Sequence, residues 1–365
     1  MALPFIILGV AAAATAFGGK KAYDGYQKKS EADDVLERAQ HRFDKHKESL
    51  DETNEITSKK LAELGEKELQ IGKDFNEFNT IAVDLLARMA KDGHKDLELT
   101  VPKHSIHKIQ SLAISATEYL TTVVGAGVSG AAAGFAVYSG VMAFAAASTG
   151  TPIAALSGVA AYNATMAAIG GGSLAAGGWG MAGGAMVLGG AVVAPLIAIA
   201  GWAYNSHAEK ALNNAYQSSR EVTDAVAKMS AAETQLAKVQ QYVDSIYESI
   251  ARMHTAFVQH YFAPLKAMHA IIVERHEKNI TTEVSESEEI MTIIDHGYEL
   301  AAIMTEVITT PLFKPVMQQN GEAIIEDGVI QLQTDSNGMN LLNKEVLDGK
   351  LAISASNFKA FSSRI

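Results

Sequence analysis

Cysteine is missing from this chain of 365 residues, and aromatic residues are few. Without cysteine, disulfide frameworks, thiolate zinc sites and cysteine nucleophiles are excluded. Because 48% of the residues are hydrophobic but only 7% are aromatic, the apolar content is mostly small and aliphatic, and large rings for a conventional core are scarce. The net charge of −11 argues against nucleic acid as a partner, since binding phosphate needs a basic face.

Charged side chains are absent from one long tract, which we call the uncharged block. Residues 119–208 contain no Asp, Glu, Lys or Arg over ninety positions, and they hold 18 of the 30 glycines. A domain in water needs charged and polar groups on its exterior. The uncharged block is therefore predicted to avoid water, and a lipid bilayer is the environment that suits it best.

Two segments of the uncharged block, 119–148 and 181–204, are long enough to cross a membrane as helices, which takes about 20 apolar residues. Helix-breaking residues lie between them, at 149–152 and 170–172. The remaining stretch, 153–169, is shorter and more polar, so we interpret it as an interfacial or re-entrant piece. The block is predicted to form a helical hairpin.

Small and aromatic residues indicate how this hairpin would pack in lipid. Glycines four positions apart let helices approach closely, and tyrosine and tryptophan favour the headgroup region. The predicted insertion and packing residues are Gly130, Gly134, Gly180, Gly184, Tyr119, Trp202 and Tyr204. The alternative is a buried Ala/Gly-rich hairpin inside a soluble bundle, because alanine and glycine favour insertion less than leucine or phenylalanine does.

No pattern in the sequence predicts catalysis or a cofactor. Residues 125–130 match GxGxxG, but the dinucleotide fingerprint needs an acidic residue about 20 positions later, and none occurs before Glu209. Two histidine pairs lack carboxylates at metal-ligand spacing: His104 with His107, and His269 with His276. We therefore predict no enzyme activity and no catalytic, cofactor-binding or metal-binding residues.

Long helices with apolar seams are predicted on both sides of the uncharged block. After it, apolar residues recur at steps of three, four or seven, as in a coiled coil. They are Val226, Met229, Leu236, Val239, Val243, Ile246, Ile250, Met253 and Phe257. Before it, a weaker seam runs through Leu36, Ala39, Phe43, His46, Leu50, Leu64, Ile71, Phe75, Phe78, Leu85 and Met89. Pro264 is expected to kink or end the second helix.

The first of these helices is expected to bend or break. Its seam turns polar between Thr53 and Lys60, and Gly65 and Gly72 are expected to loosen it. If the helices before and after the block pair through their seams, both lie on the same side of any membrane. That arrangement requires an even number of crossings, which supports a two-helix hairpin.

The predicted fold is all-α: an elongated helical bundle or coiled coil with a central Ala/Gly-rich hydrophobic hairpin. A further helix is expected at 290–309, and Asp327-Gly328 between short β-prone runs predicts a small C-terminal β-hairpin. The predicted regions are 1–21, a hydrophobic N-terminal anchor or cap; 22–118, a long helical region; 119–208, the membrane-insertion block; 209–310, a long helical region with a heptad seam; and 311–365, a small C-terminal appendage.

The order of a long helix, an apolar hairpin and a second long helix resembles the α-helical pore-forming toxins of the haemolysin BL and cytolysin A type. The resemblance covers residues 22–310 and rests on architecture; the N-terminal apolar segment and the C-terminal hairpin depart from it. It implies a hairpin that is hidden in the soluble form and enters a target bilayer. Separately, residues 155–178 are similar to the Ala/Gly-rich membrane block of interferon-inducible small membrane proteins.

These features predict a noncatalytic, membrane-active protein whose hairpin inserts into or permeabilises a lipid bilayer as an oligomer. Two alternatives remain open: a resident membrane-anchored coiled-coil scaffold or adaptor, and a soluble helical bundle with a buried hairpin. The predicted partners are the bilayer and either further copies of the chain or a helical protein, without nucleic acid. The expected location is a membrane, after a soluble stage, at a bacterial inner membrane or at a target membrane reached by secretion.

Overall fold

The computed structural model describes residues 19–93, 98–121, 132–137, 208–278, 280, 284–319, 324–326, 329–330, 332–335 and 340–364. Helices make up most of this part of the chain, and they pack as a bundle around apolar cores. The predicted all-α fold is confirmed.

The described residues form long helices, one π turn, one short helical segment and two very short strands. The helices are α1 (Gly19–Lys91), α2 (Lys103–Tyr119), α3 (Ala208–Phe257), α4 (Ala263–Glu277), α5 (Val284–Ile308) and α6 (Lys344–Ser362). The π turn, Val258–Phe262, joins α3 to α4. The short helical segment covers 132–137, and the strands are β1 (Ile325–Glu326) and β2 (Val329–Ile330).

The described residues divide into two compact units. In the smaller unit, residues 19–47 of α1 belong with residues 208–228 of α3. Its apolar core contains Ala32, Val35 and Ala215. The remaining described residues belong to the larger unit, which contains the start of the uncharged block.

In the larger unit, α1 and α3 run parallel. Lys60 forms an ion pair with Asp244 at 2.5 Å, and further along both helices the ring centroids of Phe75 and Phe257 lie 5.3 Å apart. Two parallel helices cannot be joined by a short turn.

The other helices of the larger unit alternate in direction. α2 runs antiparallel to α1, because Asn79 accepts a hydrogen bond from Gln110 while Gly72, earlier in α1, meets Ala116, later in α2. α5 runs antiparallel to α4, and α6 runs antiparallel to α5. The direction thus reverses between α1 and α2, between α4 and α5, and between α5 and α6.

The core of the larger unit is built on the predicted seams and on a concentrated group of rings. Nearly all seam positions of α1 and α3 in this unit are buried. The rings of Phe75, Phe78, Phe257 and Tyr298 form a chain with centroids 5.1 to 5.3 Å apart. Burial raises the pKa of the Tyr298 hydroxyl to about 12. The few aromatic residues therefore still form a core, because several of them meet at one place.

α1 does not break near Thr53–Lys60 as one form of the prediction had it, because the helix is continuous there; a bend at this place stays a prediction. At one of the polar positions, Thr57, hydrogen bonds form within α1 and across the helix pair instead. Thr57 is fully buried, and its hydroxyl donates to the Thr53 carbonyl at 2.7 Å and accepts from Gln240 at 2.8 Å. Since these polar groups are satisfied, the helix does not have to open to water.

The helix continues past Pro264, but the turn before the proline is a π turn and not a regular α-helical turn. The π turn comes just before it, with helical dihedral angles at both flanking residues, Phe257 and Ala263. Proline has no N–H, and its ring collides with the carbonyl four residues earlier. In the wider turn, the N–H of Ala263 donates to the carbonyl of Val258. The backbone continues as α4 beyond the widened turn.

The C-terminal region differs from the predicted β-hairpin appendage. Its main element is α6, a helix not anticipated in the sequence, whose Leu347 and Phe361 are buried in the core of the larger unit. β1 and β2 pair antiparallel over two residues each, and Asp327-Gly328 lies outside the described residues. So short a ladder does not support an appendage, and α6 belongs to the bundle.

Two glycine substitutions test the packing around the aromatic core. In Gly297→Ala the new Cβ would lie 2.4 Å from Cζ of Phe78, whose ring is held by two neighbouring rings, so we expect a loss of about 1–3 kcal/mol in the free energy of unfolding. In Gly349→Ala the Cβ meets nothing within 4 Å, so we expect a gain of about 0.5–1 kcal/mol from helix propensity. Urea unfolding measures both, and equal effects would contradict this packing.

Candidate functional site

Three short pieces of the uncharged block lie within the described residues: 119–121, 132–137 and Ala208. Of the residues predicted to insert or pack in a membrane, Tyr119 and Gly134 are described. The other five lie outside the described residues: Gly130, Gly180, Gly184, Trp202 and Tyr204. The candidate site is therefore the start of the block and the surface that receives it.

The start of the block is buried in the bundle. In segment 132–137, Gly134 is buried and the side chain of Phe135 has no exposed surface. The Phe135 ring centroid lies 5.3 Å from that of Tyr119, the last residue of α2. Tyr119 is half-buried by this contact, and its placement in a headgroup region stays a prediction.

Two glycines of α1 form the surface that receives this segment and α2: Gly65 meets the segment and Gly72 meets α2. We call Gly65 and Gly72 the glycine groove. A Cβ on Gly65 would lie 1.7 Å from the carbonyl oxygen of Ala132, and a Cβ on Gly72 would lie 2.3 Å from Cβ of Ala116. Neither contact leaves room for a side chain on α1. The glycines let α2 and segment 132–137 approach the α1 backbone closely.

The contacts of these two glycines differ from the role predicted for them. They were expected to loosen α1, yet α1 is continuous and both positions are buried. A signal for the groove was present in the sequence, since Gly65 and Gly72 are one heptad apart and each directly follows a seam leucine or isoleucine, Leu64 or Ile71. Spacing alone could not identify which helix would fill the groove.

Polar contacts hold α2 on α5. Lys108 of α2 forms an ion pair with Glu306 at 2.6 Å, and the second carboxylate oxygen of Glu306 accepts from Lys350 of α6 at 2.5 Å. Just before α2, the backbone N–H of Thr100 donates to Asp295 at 2.7 Å. Burial opposes ionisation of Glu306, but the two lysine hydrogen bonds outweigh it and lower its pKa.

A chain of polar side chains with a buried centre crosses from α1 to α3 beside the groove. Nζ of Lys67 lies 2.8 Å from Nδ1 of His254, and Nε2 of His254 lies 2.8 Å from Oδ2 of Asp74. The other oxygen of Asp74 accepts from Gln70 at 2.8 Å. Both His254 and Asp74 are buried. Burial lowers the pKa of Lys67, and the charge of Asp74 partly offsets this effect.

The histidines of the two pairs in the sequence, His104 with His107 and His269 with His276, do not share a binding site. His269 contacts Asp84 at 2.8 Å and His276 contacts Asp92 at 2.9 Å. His104 and His107 are exposed on α2. Within the part of the chain that the structure describes, no three His, Asp or Glu side chains are grouped so that they could bind a metal ion.

Comparison with known proteins gives no relative: no protein family, no curated protein and no solved structure matches this chain. Among the described residues, no helix combines the length and apolar character needed to cross a bilayer.

Replacing Gly65 tests whether the groove holds the start of the block. In Gly65→Ala the new methyl group would overlap a backbone carbonyl, which cannot move aside as a side chain can, so segment 132–137 is expected to leave the groove at a cost of about 1–3 kcal/mol. Amide hydrogen exchange and chymotrypsin cleavage after Phe135 should both become faster. Gly349→Ala, where the methyl group meets nothing, is the matched control; equal protection in the two variants would contradict docking at Gly65.

Removing the charge of Glu306 tests the contacts that hold α2. We expect Glu306→Gln to lose about 0.5–1 kcal/mol in the free energy of unfolding at pH 7, the range for partly exposed pairs. Because the pKa of Glu306 is lowered in the folded state, its contribution is present above the unfolded pKa and is lost as the pH falls through the folded pKa. The variant and the unaltered protein should therefore converge in strong acid.

The control for Glu306→Gln is Glu274→Gln. Glu274 pairs with Lys278 on the exposed surface of α4, where such pairs contribute about 0.3–0.5 kcal/mol. Urea unfolding of both variants at neutral and acidic pH measures the difference. A loss for Glu306→Gln no larger than that for Glu274→Gln would contradict its role in holding α2 and α6.

Proposed function

We propose that this protein is a noncatalytic, membrane-active helical bundle that shelters the start of its uncharged block and then delivers the block to a lipid bilayer. The observation that carries the proposal is the combination of ninety residues without a charged side chain and a buried start of that tract, held in the glycine groove of α1.

The contacts that bury the start of the block in the bundle can be replaced by contacts with lipid. At Gly65 the block meets α1 through the backbone of Ala132, which buries little apolar area. The ring of Phe135, buried in the bundle, would find an equally apolar environment in lipid. Close contact between small residues depends on fit, and it can be made equally well between helices in a bilayer. Leaving the groove for lipid therefore costs the block little.

The same small residues serve both states of the block. Gly134 is buried in the described bundle, and with Gly130 it is predicted to form a helix-packing face in lipid. One face cannot make both contacts at once. Segment 132–137 must therefore leave the bundle before the hairpin can form in the membrane. Assembly with further copies of the chain or with a helical partner follows that step.

Dye release from lipid vesicles tests this function directly. The purified protein should release dye from vesicles of phosphatidylcholine and phosphatidylglycerol. Gly65→Ala should release it faster, because the groove no longer holds the block; a loss of docking of about 1.4 kcal/mol raises the undocked population about tenfold. Gly349→Ala should behave as the unaltered protein. Absence of release and of vesicle binding for all three proteins would contradict the proposal.

The need for detergent separates the alternatives. A resident membrane scaffold would require detergent from the first purification step, whereas a protein with a sheltered block purifies in buffer and converts on contact with lipid. The buried start of the block favours a sheltered state. A protein that purifies in buffer and never binds vesicles would be a soluble bundle with a permanently buried hairpin.

A further inference from the structure

We infer that the polar chain Lys67–His254–Asp74 is an acid-sensitive lock between α1 and α3, in which a proton added to Nδ1 of His254 displaces Lys67. The lock consists of one hydrogen bond on each side of a single imidazole ring, 2.8 Å to Lys67 and 2.8 Å to Asp74.

The chemistry of the two partners fixes the direction of both hydrogen bonds. An ammonium group has donors only, so Nδ1 of His254 accepts from Lys67. Carboxylate oxygens accept, so Nε2–H of His254 donates to Asp74. The ring is therefore neutral, with its proton on Nε2. A second proton can only go to Nδ1, where it would point at the ammonium group and turn an attractive contact into a repulsive one.

The charges on either side of the ring determine which contact an added proton disturbs. Lys67 and Asp74 lie on opposite sides of the ring and carry opposite charges, so an added proton on Nδ1 brings a second positive charge to the Lys67 side. The other buried carboxylate on this stretch of α1 is Glu68, 2% exposed. On α3, the neighbouring charged residue Arg252 is exposed.

Neither α6 nor segment 132–137 supplies a charge that would compensate. On α6, Ser354 contacts Met253 beside the lock, and the nearest charged residue of that helix in sequence, Lys350, is bonded to Glu306 of α5. Segment 132–137 contains no charged residue. An extra proton on His254 is therefore relieved most directly by loss of the Lys67 contact.

Another histidine, between α1 and α4, has partners that favour the opposite response to acid. His269 meets Asp84, a carboxylate that also accepts from Arg88. A proton on His269 turns a neutral donor into a charged donor facing an acceptor, so acid strengthens that contact. What distinguishes His254 is the ammonium group at its second nitrogen.

The position of the lock connects it to the sheltered block; this step rests on the proposed function. Lys67 lies between Gly65 and Gly72 along α1, so the stretch of helix that binds His254 also carries the glycine groove. When α1 loses this polar contact with α3, the stretch of α1 that carries the groove is held less firmly. Acid is therefore the expected trigger for release of segment 132–137.

Urea unfolding at pH 7.5 and pH 5 tests the lock without any membrane. In the unaltered protein, the unfolding equilibrium constant should increase on acidification about tenfold more than in His254→Gln, which cannot titrate; tenfold corresponds to one pH unit of proton linkage. In Lys67→Met the sign should reverse, because a protonated His254 then meets only the carboxylate of Asp74. His269→Gln is the control and should keep the acid sensitivity. Equal pH responses of the unaltered protein and Lys67→Met would overturn the lock.

A measurement on the unaltered protein covers the case in which Lys67→Met fails to fold. Imidazole ¹⁵N chemical shifts of His254 at neutral pH should report a proton on Nε2 and none on Nδ1. A proton on Nδ1 at neutral pH would overturn the lock, since Lys67 could not then donate to that nitrogen.

Vesicle leakage at pH 5 separates failure of the lock from failure of the proposed function. Faster leakage at pH 5 in the unaltered protein, but not in His254→Gln, supports both. A reversed pH response in Lys67→Met with vesicles that stay intact supports the lock and overturns the membrane function. Leakage without any difference in pH response among the variants overturns the lock and leaves the membrane function in place.

Discussion

A tract of ninety residues without a charged side chain has to be covered by something, and the bundle covers its start by bringing two backbones into contact. Segment 132–137 approaches α1 so closely at Gly65 that not even a methyl group would fit between them. That distance sets the demands on the surrounding structure: α1 must be continuous through the groove, α2 must run back along it, and charged residues must stay outside the contact.

The helices around the groove meet these demands through polar contacts placed at its margins. Where the α1 seam turns polar, Gln240 donates a hydrogen bond to the hydroxyl of Thr57, and α1 stays continuous. Glu306 fastens α2 and α6 to α5 from outside. The groove itself is free of charge, so its contact depends on fit and not on attraction between specific groups. Such a surface can hold a segment and can also release it.

The parts of this structure that follow from periodicity could be predicted, and the parts that depend on a distant partner could not. The seams of α1 and α3 are buried as expected, because apolar spacing is a local property. The polar stretch of α1 was interpreted as a break because its partner, Gln240, is far away in sequence. The groove at Gly65 was missed for the same reason, and α6 was missed because glycine, serine and asparagine dilute its apolar pattern.

Spectroscopic depth measurement at one labelled site tests the central claim most directly. The chain has no cysteine, so Ala133→Cys provides a single position for a nitroxide label within segment 132–137. Ala133 is half-buried, so in buffer the label should be immobilised and partly accessible to water-soluble relaxation agents. After vesicles are added it should become more accessible to oxygen, which concentrates in lipid, and less accessible to the water-soluble agent. A label that gives the same signal in the presence of vesicles as in buffer would contradict transfer of the block from protein to membrane.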